Sequence, residues 1–409
     1  MEQKILIHGR AVYEPEGFKG NDAILCENGR ILEIGKQESL KALCPEAQEA
    51  DLAGKFLCPS LVNTHVHLEF DQTPEAREHW LGESRERRFL GAALHAMDLL
   101  VSGVCAARDA GSSWALLELR DVKETPKPYL QACGVPITVT GGHLCFLGEE
   151  ADSREEMIRA VWRTHKHQAD AVKLIVTGGQ MTPGSLPERV SLTTEEIKSI
   201  AEEAHTLGLP TFAHCLTTEG FVRCMDGGVD SIEHVACFVR CRENGLLERV
   251  WEESVMEKYQ GSGRFFMMGL SQGYHNLEEY REGKRPCTAR EEFLLRQEER
   301  MFDIFKKCIA LGLVPVCGTD AGTGRTSFSE TWLELALMQE RGKLPAAEAI
   351  RVCTAQSARC LGLEGQRGAL VPGAFCDFVG LACDPTENIR AYAAPEYVFF
   401  EGRCVRDPD

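Results

Sequence analysis

At 409 residues, with 44% hydrophobic and 26% charged positions, the chain holds enough apolar material for one large core and a smaller appended unit. Its formal net charge of −17 works against nucleic-acid binding and against anchoring to an anionic membrane surface, both of which depend on clustered Lys and Arg. No apolar run is long enough for a membrane-spanning helix, and the N-terminus turns polar without a signal-type apolar stretch, so a cytoplasmic location is the default expectation.

Residues 1–56 read as short strands broken by turns: KILIHGRAVY, then NDAILCENGRILEIG with Glu27-Asn28-Gly29 as a hairpin-type turn. From about 57 to 360 the pattern alternates. Strand-like apolar runs include KFLCPSLVNTH, ITVTGG, AVKLIVTGG, LPTFAHC, DSIEHVA, RFFMMGL and LVPVCGTD. Helical stretches such as SREEMIRAVWRTHKHQ, TTEEIKSIAEEAHTLG and AREEFLLRQEERMFDIFKKCIALG lie between them. Thr193 or Thr194 ahead of Glu195 and Glu196 supplies an N-cap signal for the second of these. Residues 271–290 break the rhythm; they are polar and turn-rich, and read equally as a lid over a site or as a solvated loop. The last forty residues return to short strands, GALVPGAFCDFVGLACDP and EYVFFEGRCVRD.

Repeated β-α units in one stretch predict an α/β fold with a parallel sheet, and their number favours a (β/α)8 TIM-like barrel over an open sheet. The expected organisation is a barrel over 57–360 and a composite β-rich domain made from 1–56 plus 361–409. The 18 cysteines are scattered and show no C-x-x-C, which predicts buried free thiols rather than a disulfide framework. Cys237 and Cys241 stand near His234, but a zinc-ribbon reading lacks its second cysteine pair.

His65 and His67 form H-x-H at the end of an apolar run, and on a strand residues i and i+2 share a face, so both imidazoles can reach one ion. The second H-x-H, His165 and His167, falls in a helical stretch, where i and i+2 lie roughly 200° apart, and is read as surface. Lys173, His214, His234 and Asp320 each stand at or near the end of a predicted strand, where a barrel would bring them together. A lone buried histidine is ordinarily a hydrogen-bonded core residue. Lys173 inside AVKLIV is harder to place so, because burial of an ammonium is costly and depresses its pKa. A neutral amine can add carbon dioxide to become a carbamate, an anionic ligand able to bridge two cations, and a buried Asp320 needs a positive partner in turn. Two divalent ions would satisfy the whole set.

The set His65-x-His67, Lys173, His214, His234 and Asp320 resembles the amidohydrolase superfamily, over nearly the whole chain. VKLIVTGG, SLPERVSLTTEEI, AHC, GVDSIEHV and GTDAG look like its prolidase-like branch, Xaa-Pro dipeptidases and related enzymes that cleave C-terminal residues from dipeptides and N-acyl amino acids. Gly141-Gly142-His143 matches a motif of that branch whose histidine faces the substrate. The resemblance implies a β-sandwich built from both termini, one metal on His65, His67 and Asp320, a second on His214 and His234, and carboxylated Lys173 bridging them, with zinc as the metal. It further implies attack on an amide by a hydroxide between the ions, with Asp320 as general base and then acid. His143, with Tyr274 and His275 of the 271–290 loop, is a candidate substrate contact. Val235, Leu144 and Gln180 depart from the branch pattern near the expected substrate pocket and put the dipeptide preference in question.

Two other readings stand beside this one. Asn63-Thr64-His65 echoes the entry motif of mononuclear-metal deaminases of aminated heterocycles, against which Lys173 counts. A non-catalytic scaffold that has lost its ligands is the other, against which the full ligand set counts. G-x-x-x-x-G-K-[ST] is not present. The expected partner is a small-molecule substrate, with no nucleic acid and no membrane, and a homo-oligomer is left open.

Overall fold

A computed structural model describes residues 4–52 and 54–408; residues 1–3, 53 and 409 of the expected terminal unit lie outside the described residues. Eight strands in chain order form the centre: β1 (Leu61–Val66), β2 (Val104–Asp109), β3 (Tyr129–Ala132), β4 (Val172–Ile175), β5 (Thr211–Cys215), β6 (Ser231–His234), β7 (Phe265–Met267) and β8 (Val314–Val316). Neighbours pair in parallel from β1 to β3 and from β4 to β8. Between β3 and β4 the chain passes Pro136, which has no N–H to give a ladder. Past it, the short strand Ile137–Thr138 sets Ile137 opposite Leu174 of β4. The last strand and its extension are bonded back to the first: Thr64 N–H donates to Cys317 O at 2.7 Å, His67 N–H to Ala321 O at 2.8 Å and Asp320 N–H to His65 O at 2.9 Å. These bonds join the two groups of parallel strands through β8 and β1.

Strand alternation sorts the side chains. Val172 and Leu174 of β4, Ala213 of β5 and Ile232 of β6 point outward into the main core, against helix residues such as Ala160, Val161, Ile197 and Ile200. The opposite parity, including Lys173, Phe212 and Glu233, faces the interior, and all three are buried. The helices form where the sequence places them. Thr194–Thr206 begins with a full capping box, Thr193 accepting from the Glu196 N–H while the Glu196 carboxylate accepts from the Thr193 N–H, and Ala289–Ala310 repeats the device with Thr288 and Glu291.

The two chain ends share a sheet. Ala11–Glu14, Gly17–Phe18 and Phe56–Pro59 join Phe378–Leu381, Tyr397–Phe400 and Arg403–Arg406 in one six-stranded sheet. Lys4–His8, Ala23–Glu27, Arg30–Gly35 and Gln48–Asp51 form a second sheet of four. The Asn28-Gly29 turn has φ of 51° and 81°, the left-handed pair that a tight hairpin requires. Arg367 ties the C-terminal segment together through Asp377 and Glu401.

Several elements differ from the sequence reading. KFLCPSLVNTH is two strands rather than one, because Pro59 ends the stretch held by the terminal sheet and Leu61 opens β1. ITVTGG contributes only Ile137–Thr138. β2, with its VCAARD composition, and β3 lack the β-branched run that marks a strand and were not among the expected ones. Segment 271–290 carries a 3₁₀ turn at Tyr274–Asn276 and a short helix at Glu278–Arg281. All 18 cysteines are free and twelve of them are buried. No helix among the described residues is long and apolar enough to cross a membrane.

Replacing Thr193 by Ala removes one half of a capping box and should lower stability by about 1 kcal/mol. A chemical-denaturation midpoint unchanged from wild type would show that the box contributes nothing to the fold.

Candidate metal centre

His65 and His67 sit at the carboxyl end of β1, where the i, i+2 spacing puts both rings on the interior side. Each has one ring nitrogen already fixed. His65 Nδ1 lies 2.6 Å from Glu233 Oε2, and His67 Nδ1 lies 3.1 Å from Gly111 O. A carboxylate and a carbonyl only accept, so both rings carry their proton on Nδ1 and leave the Nε2 lone pair free. Those Nε2 atoms meet at Asp320, 3.6 Å from His65 and 3.3 Å from His67 to Oδ1. The three ligand atoms lie within 4.8 Å of one another, and all three residues are buried. Two imidazole nitrogens and a carboxylate are a donor set that suits a divalent cation.

The groups around this cluster explain its order. Glu233 also accepts from Ser231 Oγ at 2.6 Å and faces Arg108 Nη2 at 3.5 Å, so the carboxylate is held from three sides. Asn63 accepts from the His65 N–H at 3.1 Å and donates to Thr319 and Thr331, binding β1 to the segment that carries Asp320. Gly322, at φ +102°, lets the chain pass the His67 carbonyl; a Cβ there would stand 2.3 Å from that oxygen.

Lys173 enters from lower down. It is second in β4 rather than at its end, so its long stem climbs the interior to reach the site. The side chain is 2% exposed, and Nζ has no hydrogen-bond partner among the described residues. The amine stands 4.7 Å from the Phe212 ring centroid, with the Arg108 guanidinium 3.9 Å from the same ring. Burial lowers the Lys173 pKa to about 8, against the opposing pull of Glu233 and Asp320. A buried amine with a depressed pKa and no partner is chemically available to an added acidic group.

His214 and His234 complete the rim. The rings run as a chain: His143 to His214 at 4.6 Å between centroids, His214 to His234 at 4.8 Å, His234 to His65 at 5.2 Å. His214 Nε2 lies 3.1 Å from Gly178 O, which assigns its proton to Nε2 and leaves Nδ1 free. His234 follows Glu233 in the strand and would point outward by alternation. Its φ of 74° breaks the alternation at the strand end and turns the ring inward, and Asp320 stands at φ 60°. Non-glycine residues in the left-handed region are costly, and here both carry candidate ligands. His143 packs over Gly179, where a Cβ would fall 2.5 Å from the imidazole, and its Nδ1 is 3.2 Å from Thr182 Oγ1.

Burial keeps these histidines neutral. It lowers His143 to about 3 and His234 to about 4, and it puts His65 and His214 well below the usual value, in each case aided by neighbouring cations. For Asp320 burial pushes upward, but the hydrogen bond with His67 and the attraction of the basic side chains around it, His234, His67 and Lys173, outweigh it and hold the carboxyl below its ordinary range.

Tyr274 and His275 are not brought to this cluster. His275 bonds Glu278 and Glu330 at 3.3 and 3.1 Å, and Tyr274 lies under the Arg281 guanidinium at 3.8 Å. The loop residue that does arrive is Gln272, whose Nε2 donates to Asp320 Oδ2 at 2.5 Å. Its backbone is placed by Glu334, a buried carboxylate that accepts from the Leu270 and Ser271 N–H groups at 2.9 and 2.8 Å. Sequence reasoning passed over Gln272, Glu233 and Arg108. A charged residue of interior parity in SIEH and in CAARD was the available signal for the latter two.

The model of the amidohydrolase family matches residues 56–405. The chain is 27% identical over 274 residues to ochratoxinase of Aspergillus niger, a match covering 65% of this chain and 52% of that protein, so it spans about half the length of this relative. It is 24% identical over 391 residues to imidazolonepropionase of Paracoccus denitrificans, covering 88% of each. Among solved structures, a Xaa-Pro dipeptidase with methionine in its active site shares the fold, with a TM-score of 0.82, 23% identity and coverage of 99% of this chain and 100% of that one.

The neutral histidines set a direction for acid stability in the metal-free protein. Folded values near 3 and 4 lie below the ordinary 6.5, so inside that window the unfolded chain binds more protons and stability falls as pH falls. Metal-free protein should therefore melt progressively lower as pH drops from about 6.5 toward 4, and His143→Gln should make the decline shallower. A flat melting profile over that range would show the histidines are not held neutral.

Proposed function

Since the chain belongs to the amidohydrolase family, we propose that it hydrolyses an amide bond, in a dipeptide or an N-acyl amino acid. The observation that carries the reading is the buried, partnerless Lys173 Nζ beside the His65, His67 and Asp320 group. His65, His67 and Asp320 would hold one divalent ion and His214 and His234 a second, with Lys173, carboxylated by carbon dioxide, as a further ligand, and zinc would be the metal. When bound, such ions supply an activated water at neutral pH and polarise the scissile carbonyl. The eight strands with their helices are a (β/α)8 barrel over 57–360, and the two terminal sheets a small β-sandwich from 1–56 plus 361–409.

The chain's own residues do the following. Glu233 fixes the His65 tautomer, and the Gly111 carbonyl fixes that of His67, so neither ring reorganises during turnover. Asp320, ionised in its ground state, takes the proton of the attacking water and returns it to the departing amine. Gln272 holds the second Asp320 oxygen and thereby presents the first. His143, beside His214, contacts the substrate.

One observation favours a second reading. Only His65, His67 and Asp320 gather tightly enough to be recognised as a metal group among the described residues, which suits a single ion and a deaminase of an aminated heterocycle.

Zinc-reconstituted protein incubated with dipeptides, N-acyl amino acids and aminated heterocycles should release free amino acid. Ammonia from a heterocycle without amino acid would replace the amidase reading with the second one. Lys173→Ala should lower both bound metal and turnover by roughly a hundredfold, in line with loss of groups that organise a metal site. Retention of both would remove the bridging role.

A further inference from the structure

The hairpin Phe238–Arg240 and Leu247–Arg249, which follows β6 directly after His234, leans toward helix Ala289–Ala310 and leaves a cavity of about 540 Å³ between them. This is within the size range of small-molecule sites. Its wall includes the apolar side chains Phe238, Leu247, Leu294 and Met301. Gln272 also lines it, and since the same amide donates to Asp320, the cavity abuts the candidate metal centre.

The charges on this wall do not cancel. Glu298 is engaged by both Arg281 and Arg341, and Arg240 is paired with Glu188. Arg249 has no carboxylate partner among the described residues: its backbone N–H donates to Gln297 Oε1 at 2.7 Å, its Nη1 to Ala236 O at 3.2 Å, and its guanidinium lies 4.7 Å from the Phe238 ring centroid. Arg290, which has no carboxylate partner among the described residues, adds a second cation to the lining. A chain of net charge −17 thus presents an unneutralised positive wall at this cavity, and Arg249 is tied by its Nη1 to Ala236, two residues beyond the candidate ligand His234. Burial lowers the Arg249 pKa to about 10, the expected response of a guanidinium without a counter-ion.

We propose that this cavity is the subsite for the leaving amino acid, with Arg249 receiving its free carboxylate and the apolar wall its side chain. The fork of a guanidinium matches a carboxylate in two parallel hydrogen bonds, and the apolar surroundings strengthen the attraction. The preferred leaving group is accordingly an amino acid with a large apolar side chain and an unblocked carboxyl. This rests on the amide-hydrolase reading, because the carboxylate belongs to the product of that reaction.

The test separates the two. Calorimetry on zinc-reconstituted protein would compare L-leucine with L-leucinol, which lacks the carboxylate, and with glycine, which lacks the side chain. Wild type should bind L-leucine at least about tenfold more tightly than either. Arg249→Met should erase the preference over leucinol, Arg249→Lys should keep part of it, and Leu294→Glu, which leaves Arg249 in place, should erase it by opposing charge. Leucine and leucinol binding alike to wild type, or Arg249→Met binding leucine as wild type does, would overturn the subsite. Hydrolysis of N-acetyl-L-leucine unaffected by Arg249→Met would sink the subsite and leave the amidase reading standing. An intact carboxylate preference with no amide hydrolysed would sink the amidase reading and leave the subsite.

Discussion

The interior of the parallel strands contains two basic groups, Arg108 and Lys173, both against the Phe212 ring, and one carboxylate, Glu233, that faces Arg108. One carboxylate cannot neutralise two cations while also holding His65. In an apolar interior an uncompensated charge is expensive, and the molecule resolves the imbalance by pressing Lys173 toward its neutral form. Around it burial keeps the histidines neutral, with lone pairs to offer, and Asp320 is held below its ordinary range.

Orientation is secured from behind. The tautomers of His65, His67 and His214 are fixed by acceptors that lie outside the cluster: Glu233, the Gly111 carbonyl and the Gly178 carbonyl. Two candidate ligands stand on left-handed backbone, and close approaches at Gly179 and Gly322 admit no side chain. Strain and crowding of this kind persist only where surrounding packing over-determines them, and here hydrogen bonds donated by Asn63 and accepted by Glu334 tie the neighbouring loops down.

Much of this was legible in the sequence, for definite reasons. H-x-H on a strand, a lysine in an apolar run and an aspartate ending VPVCGTD are visible because they violate the burial expectation of their surroundings. The Thr193 and Asn28-Gly29 signals are visible because local chemistry alone decides them. What escaped was of two kinds. β2 and β3 were hidden because tertiary pairing, not propensity, makes them strands, and Pro136 divides the short stretch between β3 and β4. Gln272 was hidden because a polar residue in a polar loop carries no contrast, while Tyr274 and His275, which do stand out, are occupied by Arg281, Glu278 and Glu330.

The shared terminal sheet has a consequence for how the chain comes into being. Phe56–Pro59 pairs with Ala11–Glu14 on one side and with Phe378–Leu381 on the other. As the polypeptide leaves the ribosome, the first of these partners is already present, whereas the second follows only after all eight central strands. Until then the strand beside β1 offers an unpaired edge, and its own Leu57 and Cys58 lack the cover that later buries them fully. Nascent chains carry a sticky flank until Phe378–Leu381 arrives, which makes that strand a closing seam rather than an appendage.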